Sequence, residues 1–354
     1  MKLLFALLLI SQYAHSSSIF NININDYGGA NATQQAAIDT VVRDLEAKVR
    51  AELPDADVST YLNSTSNALM MAGKGTGTDY ANNFDVFVTG INAGVGIDTG
   101  GQSLNSFLKG DADIDNVRGA GIQGAVMVGA NVGRFIKKEN WGLIKPKNLD
   151  VFMHAFQYNY DTRDDDSLFR SRMTNFGFHA RYRLHQGKKL MDYNLLRWGG
   201  VKLHTGYQYA KMNLLLENNF NEDVSSSGFS GTFEALARAD VDVTTHSIPI
   251  EVSTDLQLLY FLTLYTGVGA DISLGRATAV SNLSNSDLTI SGGGITASGT
   301  ASLNLGDRGK PSLTQLRGFF GAQINILNFK LFAQLDQSFI HDLYGLSFGA
   351  RFAY

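Results

Sequence analysis

From about Phe84 to Tyr354, apolar and polar residues alternate with a period of two, the pattern of strands that show one face to an apolar environment. A membrane-crossing strand takes about 9 to 11 residues. Ten segments reach that length: 84–97, 121–133, 149–160, 174–185, 199–213, 247–255, 260–274, 314–326, 329–338 and 344–354. Eight of them sort into two faces, while 84–97 and 149–160 carry apolar residues on both sides. One face holds Ile122, Val126, Phe176, Phe178, Ile248, Ile250, Phe320, Leu331 and Phe348 with their alternate neighbours, and no charge. The other holds His179, Arg181, Arg183, His185, Lys202, His204, Glu251, Asp255, Asp271, Lys330, Asp336 and Arg351. A charge on the lipid face at mid-bilayer costs about 2–4 kcal/mol, so this segregation is what a transmembrane barrel requires.

The first 80 residues differ in texture. Lys2, the apolar run Leu3–Ile10 and the small residues Ala14 and Ser16 have the form of a signal peptide over 1–16. Phe20, Ile22 and Ile24 alternate with asparagines, and then Ile38, Val41, Val42, Leu45, Val49 and Leu53 recur at helical spacing until Pro54. A second helix is expected from Val58 to Met71, followed by a glycine-rich linker at Gly73–Gly77. The expected organisation is a signal peptide (1–16), an N-terminal helical segment (17–80) acting as a plug or a periplasmic cap, and a barrel (81–354).

A soluble β-sandwich also alternates, but gives no reason for its connections to alternate in length. Here 98–120, 161–173, 214–246 and 275–313 run from 13 to 39 residues and form the longer set, while 134–148, 186–198, 256–259 and 327–328 run from 2 to 15 and form the shorter; 339–343 breaks the rule. Long loops on one side of the membrane and short turns on the other are expected of a barrel. The only tryptophans, Trp141 and Trp198, fall in the shorter set, where an interfacial belt would place them.

Composition then narrows the field. Among 354 residues, 29 Lys and Arg against 33 Asp and Glu leave a net charge of −4, without the basic excess of a nucleic-acid binder. The absence of cysteine excludes disulfides, thiolate metal sites and a lipoprotein anchor. A mean hydropathy of −0.06 and the lack of any run of 18 uninterrupted apolar residues exclude a helical membrane protein but not a barrel, whose two faces average out.

The last eight residues, Ser347-Phe348-Gly349-Ala350-Arg351-Phe352-Ala353-Tyr354, place a polar residue, a glycine, an apolar residue and a final aromatic at Ser347, Gly349, Phe352 and Tyr354. This resembles the C-terminal β-signal of bacterial outer-membrane β-barrel proteins. The resemblance implies a barrel in the outer membrane, and with the ten alternating segments the expected fold is an all-β, closed antiparallel transmembrane barrel of about ten strands (8 to 12). It implies outer-membrane lipid, lipopolysaccharide and the barrel assembly machinery as partners, and no cofactor. It names no subfamily.

For function, the favoured reading is a narrow pore or gated channel for small solutes, with the lumen charges as a selective constriction or as mutually neutralising pairs. The alternative is a non-conducting structural or adhesive barrel presenting 214–246 and 275–313. A barrel hydrolase is a minor alternative: His246 with Asp240 and Asp242 imitates the residue types of omptin proteases, but no G-x-S-x-G or H-E-x-x-H motif is present. No catalytic or metal residues are assigned. Asp111, Asp113 and Asp115 lack the glycine and glutamate of a calcium loop, and Asp161 with Asp164–Asp166 reads as a solvated acidic loop. Gly292–Gly294 reads as a hairpin tip, and Pro249 as a rim residue beside a bulge near Thr244–His246.

Overall fold

The computed structural model describes residues 12–13, 20–52, 56–81, 84–109, 116–136, 140–142, 144–164, 166–191, 195–226 and 228–354. The expected signal peptide lies outside these residues apart from Gln12 and Tyr13, and so do Asp111, Asp113, Asp115 and Asp165.

Before the barrel come a two-residue parallel pairing of 12–13 with 56–57 and three longer elements, β1 (Phe20–Asp26), α1 (Ala32–Glu52) and α2 (Val58–Ala72). They follow the alternating and helical stretches of the sequence. The remaining strands are β2 (Phe87–Asp98), β3 (Gly119–Asn131), β4 (Leu149–Asp164), β5 (Ser167–Lys189), β6 (Leu196–Ser226), β7 (Phe229–Leu258), β8 (Leu262–Gly292), β9 (Ile295–Gly309), β10 (Thr314–Ile326), β11 (Phe329–Ser338) and β12 (Leu343–Ala353).

Each barrel strand pairs antiparallel with its neighbours, and the last pairs with the first: Ala353 lies opposite Val88 and Leu343 opposite Asp98. The ring has ten strands, because β8 changes partner part-way along. Its first stretch, Leu262–Ile272, pairs with β10 and closes the barrel, whereas Ala277–Gly292 pairs with β9. β1 then adds to β9 through Phe20–Asp26 opposite Leu303–Ser298. Closure pairs the last strand with the first, so the ring is not an open sheet with two end strands.

The outward face carries the apolar set. Ile122, Val126, Phe178, Ile250, Phe320, Leu331 and Phe348 are exposed, while Gln123, His179, Glu251, Gln323 and Lys330 on alternate positions are buried in the lumen. An apolar belt outside a closed antiparallel ring is the build of an outer-membrane-type β-barrel. At the end of the ring where Tyr354 lies, here the near end, the rings of Phe87 and Tyr354 are 6.0 Å apart and those of Phe329 and Phe352 5.3 Å apart. Trp141 and Trp198 lie toward the same end: Trp141 is exposed, and Trp198 donates from Nε1 to Thr254 Oγ1 at 2.7 Å.

Two sequence expectations need correction. Stretches 161–173, 214–246 and 275–313, expected as loops, are mostly strand: Asp161 and Asp164 of the expected acidic loop lie in β4, Asp161 2.6 Å from Arg170, and β6, β7 and β8 run for 31, 30 and 31 residues, far more than a bilayer needs. Their alternation continues beyond the membrane because their inner face is still buried. Phe229, Phe233, Ala235, Leu288, Ile290, Ala297 and Leu303 form one core with Phe20, Ile22 of β1 and Ile38, Val41, Val42, Leu45 of α1. The result is a curved β-head at the far end, roofed by α1. There Tyr27 donates to Asp39 Oδ1 at 2.7 Å, and this bond to a carboxylate holds the phenol above its ordinary pKa. The outer face of the head is polar, with Arg238 beside Glu217 and Lys211 beside Asp242. Gly293 and Gly294, both at positive φ, make the two-residue turn between β8 and β9.

Pro249 is the second correction. It is not at a rim, and no bulge accompanies it. It lies opposite Asp271 between the exposed belt residues Ile248 and Ile250, and the β6–β7 register is the same at Thr205–Ile250 as at Gln208–Ser247. The strand tolerates proline because the β6–β7 ladder is simply interrupted there.

Candidate functional site: a filled lumen

The N-terminal chain enters the ring from the far end and leaves at the near end. Leu62 lies at the level of Gly309, Ala68 at Gly96, Ala72 at Gly94, and Phe84 packs with Val88, Phe152 and Ala353. The lumen is therefore occupied along its length by α2 and by residues 73–81. Of the expected helical segment 17–80, only 58–80 sit inside the barrel, and 20–52 belong to the head.

Glycines admit the helix. A Cβ at Gly94 or Gly96 would fall 2.0 Å from the carbonyl oxygen of Ala72 or Ala68, and one at Gly121 would fall 2.4 Å from Leu69 Cα. Below α2 the chain runs in turns, so its backbone groups need partners from the wall. Asn92 donates to Thr76 O at 2.5 Å, Lys202 to Tyr80 O at 2.8 Å and Arg351 to Gly75 O at 3.0 Å. Arg181 donates to Asp79 O, and Gln123 to Leu69 O at 2.6 Å.

The side chains of this segment complete a charge network. Lys74 Nζ is 2.7 Å from Asp271 Oδ1 and also donates to Ser247 and Gln208. Asp79 Oδ1 is 3.3 Å from Arg351 Nη1. Tyr80 donates its hydroxyl to Glu251 Oε2 at 2.7 Å. Within the wall, Arg181 meets Asp150 at 2.8 Å, Lys202 meets Asp255 at 2.5 Å, and Arg317 binds Glu251, Asp271 and Asp336 together. Lys74, Arg181, Lys202, Arg317, Lys330 and Arg351 are all buried, as are Asp79, Asp150, Glu251, Asp255, Asp271 and Asp336. Buried charge in such numbers persists only when paired.

Of the residues singled out in the sequence, the structure brings Arg181, Lys202, Glu251, Asp255, Asp271, Asp336 and Arg351 into this network, with Lys330 buried nearby. His179 and His204 are buried, but outside the ion pairs: His179 stacks on His154 with ring centres 5.3 Å apart, and His204 Nε2 is 2.7 Å from Ser253 Oγ. Arg183 is partly exposed, 3.8 Å from Asp150. His185 is exposed and is not in the lumen: a register shift between Arg183 and His185 turns it to the face of Val201, where its ring lies 5.1 Å from that of Trp198.

Lys74, Asp79, Tyr80, Asp150 and Arg317 were not anticipated. Arg317 and Asp150 had a readable signal, since they share the lumen parity of Gln323 and of His154 in their strands. Lys74 and Asp79 had none, because a glycine-rich stretch says nothing of where it runs.

The residues resembling a β-signal lie in β12. Ser347 and Arg351 are buried inward and Tyr354 is exposed, and Gly349 lies against Asn92 and Phe332. The hydrolase imitation is dispersed: His246 Nδ1 pairs with Tyr207 at 2.7 Å, Asp240 with Asn213 at 2.9 Å and Asp242 with Lys211 at 3.1 Å. Among the described residues no group of three His, Asp or Glu is placed to hold a metal ion.

A family model described as Lsa36-like matches residues 19–354. The chain belongs to the Lsa36-like family. No curated protein matches it. Among solved structures, this Lsa36-like chain is similar to the translocator domain of the autotransporter NalP from Neisseria meningitidis, at 11% identity over 89% of this chain and 98% of that one, with a TM-score of 0.29. It is similar also to Ail, the attachment invasion locus protein of Yersinia pestis (12% identity, 76% and 100% covered, TM-score 0.21). A third is CarO from Acinetobacter baumannii (13% identity, 75% and 97% covered, TM-score 0.24). At such scores the likeness carries nothing about function.

Proposed function

We propose that this protein is a sealed outer-membrane barrel that anchors a rigid β-head and presents it outside the cell, and that it is not an open pore. The observation that carries this reading is the lumen segment: residues 62–81 occupy the ring and are tied to its wall by paired charges. With the near end in the periplasm, the interfacial Trp141 and Trp198 and the tight turn at Leu327–Asn328 lie on the inner side. The head of β6–β9, β1 and α1 then lies outside, with membrane lipid along the belt and lipopolysaccharide at the outer rim. Ser347, Gly349, Phe352 and Tyr354 would be read by the barrel assembly machinery before β12 meets β2.

The absence of cysteine makes the test clean. Ser291→Cys at the head tip and Asn328→Cys at the opposite turn are each exposed to a membrane-impermeant maleimide on intact cells. The reading expects labelling of the first and protection of the second; the reverse pattern would contradict it.

A further inference from the structure

The wall of the ring is not continuous between β3 and β4. Their ladder holds only from Val126 to Asn131, opposite Ala155 to Asp150. Beyond it β3 continues with β2 to Gly119, and β4 continues with β5 to Asp164. Asn175 reaches across the gap to bond Gly124 O at 2.5 Å and Gln123 Oε1 at 3.1 Å, so the separation is braced from inside.

Behind this seam is a cavity of about 590 Å³, within the range of roughly 300–1,000 Å³ common for small-molecule sites. Tyr61 of α2, Val95, Ile122, Phe156, Met173 and Met212 are among the residues that line it. No charged side chain lines it, and the polar groups of Gln123 are turned to Leu69 and Asn175. Ile122, one of the lipid-facing residues of β3, is exposed.

We propose that this cavity holds an acyl chain of a surrounding membrane lipid, admitted sideways through the β3–β4 seam. Three observations point to that occupant. The walls are apolar, the lining includes Ile122 of the lipid-facing set beside the seam, and the flexible Met173 and Met212 suit a chain without fixed shape. The site goes beyond the display role and does not depend on it, because the seam exists whichever way the head faces.

The test uses the full chain in nanodiscs containing a phospholipid with a diazirine at its acyl terminus. After illumination, mass spectrometry should find adducts on Phe156, Met173 or Met212 comparable with those on belt residues Ile91 and Phe320. Filling the cavity with Ser171→Trp, or independently with Met173→Trp, should lower the remaining cavity adducts about tenfold while belt adducts stay unchanged. Unboiled gel mobility confirms that each variant is folded. Adducts confined to the belt, or cavity adducts that survive both fillings, would overturn the proposal. Cavity adducts formed only by a diazirine fatty acid supplied from buffer would overturn the membrane-lipid source.

Discussion

Arg351, in the closing strand β12, and Asp79, in the segment that crosses the barrel, form a buried ion pair with Nη1 3.3 Å from Oδ1. The same guanidinium donates to Gly75 O and lies 3.6 Å from the centre of the Phe332 ring. The strand that closes the ring thus also clamps the chain that fills it. Removing one partner of such a pair strands a buried charge, at a cost of about 3–5 kcal/mol. Arg351→Met and Asp79→Leu should each lower the denaturant midpoint of the folded barrel markedly. The double variant should be less destabilised than the sum of the two, and simple additivity would show that the pair is not coupled.

Arg317, on β10 two strands away from β12, is a second hub, bound to Glu251, Asp271 and Asp336. Arg317→Leu removes the cation shared by three carboxylates, leaving Lys74 on Asp271, Tyr80 on Glu251 and Gln334 on Asp336, whereas Lys202→Leu strands only Asp255. The first substitution should therefore be the more damaging, by at least about 1 kcal/mol, when the two are compared by urea titration of unboiled gel mobility. Equal losses would mean that the hub has no special weight.

Much of the ring could be read from single strands. The segments 314–326 and 329–338 match β10 and β11, and the uncharged face of Ile250, Phe320 and Phe348 is the lipid face, because a charge there costs too much to be tolerated. What alternation could not reveal is which apolar surface a strand faces. Phe233, Val241 and Leu288 alternate like membrane residues but pack under α1 and α2 in the head, so the strands outrun the bilayer. Nor could a local pattern show that Lys74 and Asp79 meet Asp271 and Arg351, partners nearly 200 and more than 270 residues away. His185 was misplaced because one extra residue in a ladder reverses every later side chain.

The glycine lining gives a test of how α2 is seated. Gly121→Val would push a side chain into the Leu69 backbone, and overpacking of this kind costs about 1–3 kcal/mol. It should open α2 to proteolysis within an otherwise assembled ring. Gly306→Ala, whose nearest neighbour would be 3.7 Å away, should stay within about 0.5 kcal/mol of the parent. A Gly121→Val protein with a protected α2 would contradict the close approach.

The head has its own core, and damage there should remain local. Phe233 is buried against Phe20, with ring centres 6.2 Å apart. Phe233→Ala should cost about 3–5 kcal/mol in the head, releasing β1 and α1 to protease while the ring keeps its heat-dependent gel mobility. Loss of the ring together with the head would show that the two are one cooperative unit.

The central claim is that the chain's own residues 62–81 seal the barrel. Conductance of the purified full-length protein in planar lipid bilayers tests it most directly. The intact protein should insert without discrete current steps, and removal of residues 58–81 should produce them. Stable single-channel steps from the intact protein would contradict the sealed lumen and restore the pore.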